Sequence, residues 1–407
     1  MELTIRHFIG AAAALVLVFG IGIVSGRRIC TAADFSVCGH RAGAMLVMGA
    51  ILGTLVGGAS TIGTAQLAYL YGFSAWWFTL GGGIACLLIA LFLVRPMRET
   101  RLETISQLLA INFGSSAGVT ATVFVSLGMF INIIPQMLSA IALLSSILAM
   151  GTVTAALLAA VLIISYVVFG GLWGSGCMGL VKIGLTCICL LVGGTAAYFL
   201  VGGAGGLALN FTPYPWFSLF GRGVNTDLAS GFSLLVGVIS SQIYFQAVFA
   251  GRNLSAARGG ALLSALLAPA IGLGGILIGL FMRAHYPDIN PAQALPLFVL
   301  NHLPAWFGGV VLATLLLASI GTGAGLTLGI STTLSRDIYL RFKPRTGDRQ
   351  LLMLLRLCIV MIVLLALAFV LTTGGEVLLL QFSYLSLGLR GATVCFPLLA
   401  AIFLKDR

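Results

Sequence analysis

Apolar residues run along this chain in eleven long stretches, separated by short polar segments. The stretches are 8–24, 43–71, 74–94, 115–148, 152–170, 174–201, 228–249, 257–282, 305–332, 351–372 and 377–404. A helix that crosses a bilayer needs about 20 such residues. The pattern therefore predicts an all-α integral membrane protein with about eleven transmembrane helices. Six stretches exceed 25 residues and are expected to tilt, kink or extend past the bilayer.

The charges punctuate this pattern. One set of alternate loops carries fifteen Lys and Arg, from Arg27, Arg28, Arg41, Arg95, Arg98 and Arg101 through Arg252, Arg258 and Arg336 to Lys405 and Arg407; the other carries only Arg6, Arg222 and Arg283. Basic loops stay cytoplasmic. The expected topology has the N-terminus outside and the C-terminus in the cytoplasm, in the cell membrane. Stretch 8–24 reads as a retained helix rather than a cleaved signal, because Arg27 and Arg28 follow it while only Arg6 precedes it.

Of 407 residues, 60% are hydrophobic and 8% charged, against about a quarter charged in soluble proteins. This excludes a soluble enzyme and a disordered chain, and the net charge of +11 belongs to loops rather than to a nucleic-acid surface. The eight cysteines have no metal spacing. His7, His40, His285 and His302 fall in loops or near helix ends without helical metal spacing. No GxxxxGK[ST] loop for a nucleotide-driven pump is present.

Several motifs carry a resemblance. They are Asp34-Phe-Ser-Val-Cys-Gly-His-Arg41, Gly57-Gly58-Ala59-Ser60-Thr61-Ile62-Gly63, Gly170-Gly171-Leu172, Gln242…Gln246…Ala250-Gly251-Arg252, and Ala318 through Asp337-Ile338-Tyr339. In this order and spacing the chain resembles the sodium:solute symporter family from about residue 34 to 405. The resemblance implies two inverted five-helix repeats with solute and cation at the midplane between broken helices. It places an N-terminal helix and cytoplasmic loop at 1–42, the first repeat at 43–201, an external loop at 202–227 and the second repeat at 228–407. Many members continue beyond the tenth core helix; this chain reads as a minimal version.

Gly57-Gly58 interrupts a spanning helix, and each glycine weakens a helix by about 1 kcal/mol relative to Ala. Two readings fit: a close packing contact, or a break that frees carbonyls for a cation and amides for a solute. By resemblance, the sodium ligands are the carbonyls of Gly53, Val56 and Ala318 and the hydroxyl of Thr322. Gly321 stands where the family places a second hydroxyl, and Ser60 and Thr61 face the solute. The resemblance puts an acid at Gly179 and a Gln at Lys182, so an acid is gone and a cation has appeared one turn away. Helical side chains lean toward the N-terminus of their helix. Lys182 therefore either occupies or borders the cation site, where a buried amine can bind and release a proton, or it snorkels to the cytoplasmic interface.

Arg390 is the second deep cation, and all ten acidic residues fall in loops or at helix ends. Two buried cations without a buried anion invite an anionic solute such as a carboxylate, unless Arg390 caps carbonyls of a broken helix. Polar stripes Asn132-Gln136-Ser139, Gln242-Gln246 and Gln381-Tyr384 either glue helices or converge on a solute pocket, with Asn132, Gln242 and Gln381 foremost. The expected function is cation-coupled symport of a small polar or anionic organic solute, with sodium favoured by the resemblance. Proton-coupled or uncoupled transport through Lys182 is the alternative, and a membrane solute sensor or integral-membrane enzyme the alternatives of another class. No enzyme activity, cofactor, nucleic acid or obligate protein partner is expected; the partners are the solute, a sodium ion and the lipid bilayer.

Overall fold

The computed structural model describes residues 4–26, 32–100, 102, 104–148, 150–168, 171–343, 345–373 and 379–404. Gly170, Cys30, Arg27, Arg28, Arg101, Lys405 and Arg407 lie outside the described residues. Among the described residues, each of the eleven apolar stretches is occupied by helical segments. The order is α1 (Ile5–Gly26), α2 (Ala44–Leu55), α3 (Gly58–Tyr71), α4 (Trp77–Leu88), α5 (Ser115–Leu148), α6 (Thr152–Val168) and α7 (Gly171–Leu200). There follow α8 (Val224–Ile239), α9 (Gln242–Ala250), α10 (Leu254–His285), α11 (Ala305–Thr333), α12 (Asp348–Thr373) and α13 (Leu379–Arg390). Among the described residues, seven helical segments are long and apolar enough to cross a bilayer, and the bent pair α8–α9 makes an eighth.

Two helices are broken, and each break has a local cause. Between α2 and α3, Val56 leaves the helical region and Gly57 is extended at φ −121°, ψ −160°. The chain restarts at Gly58, where small residues from α5 and α11 crowd the backbone. Between α8 and α9 the axis bends by 44°. There Ser240 and Ser241 turn their hydroxyls onto the carbonyls of Val236 (2.7 Å) and Gly237 (2.5 Å). Serine bonding back to the preceding turn competes with the helix ladder. The apolar pattern predicted one continuous stretch there, because a Ser-Ser pair does not interrupt hydropathy.

Around these breaks the long helices pack through small residues, as expected in lipid. Gly309 of α11 meets the backbone of His7 in α1, and Gly274 of α10 meets that of Leu190 in α7. Helix α11 is the centre of the bundle: every residue from 311 to 333 is buried. It packs against α1, α5, α6, α7 and α2.

The two ends of the bundle differ. At the arginine-rich end α9 is strapped down. Ala42 pairs with Gly251 in an isolated parallel bridge. The Arg98 guanidinium donates to the carbonyls of Val248 (3.0 Å), Phe249 (3.4 Å) and Gly251 (2.5 Å). Gln246 donates to Ser36 O (2.5 Å) and Thr332 Oγ1 (3.0 Å). Cavities of about 270 Å³ and about 560 Å³ lie at the opposite end, and others of about 300 Å³ and about 380 Å³ lie beside Arg336 and Arg41 at the arginine-rich end.

Candidate functional site

The break between α2 and α3 creates two kinds of group. On the α2 side, carbonyls lose their helical partners. Lys182 of α7 reaches them: its ammonium donates to Gly53 O, to Val56 O (2.9 Å) and to Ala318 O of α11 (3.4 Å). Lys182 is 0% exposed, so it does not snorkel. Thr322 Oγ1 donates to Gly53 O at 3.4 Å and joins the same cluster of oxygens. Gly321 borders it without a side chain; a Cβ there would lie 3.3 Å from Lys182 Nζ and 3.0 Å from the Tyr166 hydroxyl. Gly179 allows α7 to close on α2, and a Cβ there would collide with Gly49 O. The expected acid position is thus filled by helix contact.

On the α3 side, the amides at the start of the helix are held by side chains. Gly58 N donates to Gln136 Oε1 of α5 at 2.9 Å. A Cβ on Gly57 would sit 2.5 Å from both Gln136 Oε1 and Thr322 Oγ1, and a Cβ on Gly58 would collide with Ser139 Oγ. Ser139 also accepts from Ser319 Oγ (3.0 Å) and lines the 560 Å³ cavity. Gln136, Ser139 and Ser319 therefore surround the break. Of these, Gln136 and Ser139 were visible as a stripe at helical spacing, and Ser319 had no signal beyond its neighbour Ala318.

The remaining expected residues separate. Ser60 and Thr61 do not present their hydroxyls to a cavity: Ser60 Oγ accepts from Gly57 N (2.8 Å), and Thr61 Oγ1 donates to Gly57 O (2.9 Å). They cap the first turn of α3, which a helix starting inside a membrane requires. Asn132 Oδ1 accepts from Ser383 Oγ of α13 at 2.9 Å. Gln381 lines the 270 Å³ cavity with Gln66, Arg222 and Tyr384. Gln242 does not join them. Its Oε1 accepts from Ile105 N (2.9 Å) at the start of a short helix at the arginine-rich end.

Arg390 is also 0% exposed. Its guanidinium donates to Ser241 Oγ (2.6 Å), Ser386 Oγ (2.8 Å) and Ser386 O (3.2 Å). Gly128 of α5 makes room for its stem, with a Cβ falling 2.5 Å from Arg390 Cγ. Among the described residues the ion pairs are Arg95–Glu99 and Arg222–Asp227, and neither includes Arg390 or Lys182.

The profile of the sodium:solute symporter family matches residues 35–406. The chain belongs to the sodium:solute symporter family. It is 31% identical over 147 residues to sodium/glucose cotransporter 2 of Rattus norvegicus, covering 32% of this chain and 22% of that protein. It is 28% identical over 163 residues to the uncharacterized symporter YwcA of Bacillus subtilis, covering 40% of this chain and 31% of that protein. The chain thus matches only a fifth to a third of the length of these relatives. In structure it resembles the substrate-bound outward-open state of a Na+-coupled sialic acid symporter, at TM-score 0.84 and 17% identity over 99% of this chain and 88% of that one. It also resembles MhsT in complex with L-phenylalanine, at TM-score 0.64 and 17% identity over 90% and 93% of the chains. These likenesses establish the fold of this family member as a multi-pass membrane bundle of the LeuT type.

Proposed function

We propose that this chain is a secondary active transporter of the cell membrane that moves a small polar or anionic organic solute by alternating access, coupled to a cation. The observation that carries this reading is the oxygen cluster at the broken helix, where Gly53 O, Val56 O and Ala318 O together hold a positive charge. Broken helices that aim free carbonyls at a cation are the means by which this architecture couples ion and solute. Family membership and the likeness to a Na+-coupled sialic acid symporter support sodium as the ion. The cavity above the break, at about 560 Å³, has the capacity of a small-molecule site. Arg390 supports an anionic solute, because a buried guanidinium whose partners among the described residues are hydroxyls and a carbonyl remains uncompensated in charge.

The repeats at 43–201 and 228–407 would rock about this centre. The arginine-rich end would face the cytoplasm, so the strapped α9 makes this a conformation closed to the inside. A second reading is favoured by one observation: the charge at the oxygen cluster belongs to Lys182. On that reading uptake runs without sodium, by a proton gradient or by exchange. Proteoliposome uptake under separately imposed sodium and proton gradients decides between them. Uptake that follows sodium supports the first reading, and uptake indifferent to sodium supports the second.

A further inference from the structure

The cation at the junction of α2, α7 and α11 is part of the chain. Lys182 lies in a shell of backbone oxygens from Gly53, Val56 and Ala318, and Thr322 Oγ1 stands beside it. Oxygens of this kind, from unwound and neighbouring helices, are what sodium takes in such folds. The amine cannot share them. Two unit charges at contact distance in a buried site repel strongly, and no carboxylate among the described residues pairs with Lys182 to offset a second cation. Gly179 and Gly321, which flank the cluster, contribute no side-chain oxygen to it.

We infer that Lys182 is a tethered competitor for the transported cation. Its ammonium fills the cation position when no ion is bound, and sodium binds only by displacing it. The inference rests on the cation-coupled reading for what the ion does, but the competition is measurable without transport. It makes Lys182 the residue that sets ion affinity. Removing the amine leaves Gly53 O, Val56 O, Ala318 O and Thr322 Oγ1 free for sodium.

The test is sodium binding to the purified full chain in lipid nanodiscs, read with radioactive sodium and by sodium-dependent shifts in melting temperature. Choline replaces sodium at constant ionic strength. Lys182→Gln and Lys182→Met should bind sodium at least about tenfold more tightly than the unaltered chain, as expected when a like charge leaves the site. Lys182→Arg should show no gain. Adding Thr322→Ala to Lys182→Gln should remove most of it. Equal sodium affinity in the unaltered chain and both neutral variants would overturn the inference, as would a gain that persists with Arg at this position. Two neutral variants guard against one that fails to fold. A gain in binding without solute uptake would keep the competition and sink the transport reading. Sodium-driven uptake with unchanged affinity would do the reverse.

Discussion

Gly58 has no space for a side chain, because Ser139 and Ser319 press on its α-carbon, and its amide is held by Gln136. Gly58→Val should therefore abolish solute uptake, by at least about a hundredfold, since a misplacement of about 1 Å at a binding centre already costs that much. Surface expression and the melting temperature of the purified protein check that the bundle survives. Gln136→Leu should lower stability by about 1–3 kcal/mol, the cost of leaving a buried amide unpaired, and thermal melts in nanodiscs would measure it. At this scale the sequence was informative wherever chemistry was out of place. A glycine pair inside an apolar run and a lysine deep in another both stand out in the sequence. Ser60, Thr61 and Gln242 hydrogen-bond to backbone groups in this structure, because a polar side chain in a helix can as easily serve its own backbone or a loop as a ligand. That choice depends on the direction of the helix after a break, which spacing does not encode.

At the scale of elements, the two breaks differ in how they are made. The α2–α3 break is written in glycines and was legible. The α8–α9 break depends on serine hydroxyls returning to Val236 and Gly237, and hydropathy passes over it. Beyond that break α9 is a short helix fastened at its end by Arg98, by His40 Nδ1 on Phe249 O at 2.8 Å and by the Ala42–Gly251 bridge. Cys38 reports on this strap. It is 2% exposed, and burial, with Cys177 and Asp34 nearby, holds its thiol well above the ordinary cysteine value. A thiol shifted upward has less thiolate at a given pH and reacts slowly. Arg98→Ala removes the guanidinium from three carbonyls. It should speed maleimide labelling of Cys38 by about tenfold, in a background with no other cysteine, if about 1.4 kcal/mol of closure is lost. An unchanged labelling rate would mean that Arg98 only covers the end of α9.

At the scale of the whole molecule, the all-helical membrane fold was legible because bilayer thickness imposes a length on every apolar run. The asymmetry between the ends was not legible: it arises from long-range contacts such as Gln246 with Ser36 and Thr332. The fold places one buried cation at each break, Lys182 at the first and Arg390 at the second. Arg390→Gln should reduce uptake of carboxylate solutes at least about tenfold more than uptake of neutral ones, because an arginine keeps its charge and its loss is felt by an anion. Competition assays with paired acids and amides would read this directly. The central claim, cation-driven solute transport, is tested most directly in proteoliposomes. Labelled small organic acids and amino acids are offered under an inward sodium gradient, with potassium in its place as control. The account predicts that at least one solute accumulates above its external concentration with sodium, collapses when the gradient is dissipated, and fails to accumulate in Gly58→Val. Folded, inserted protein that accumulates no solute under either a sodium or a proton gradient would contradict it.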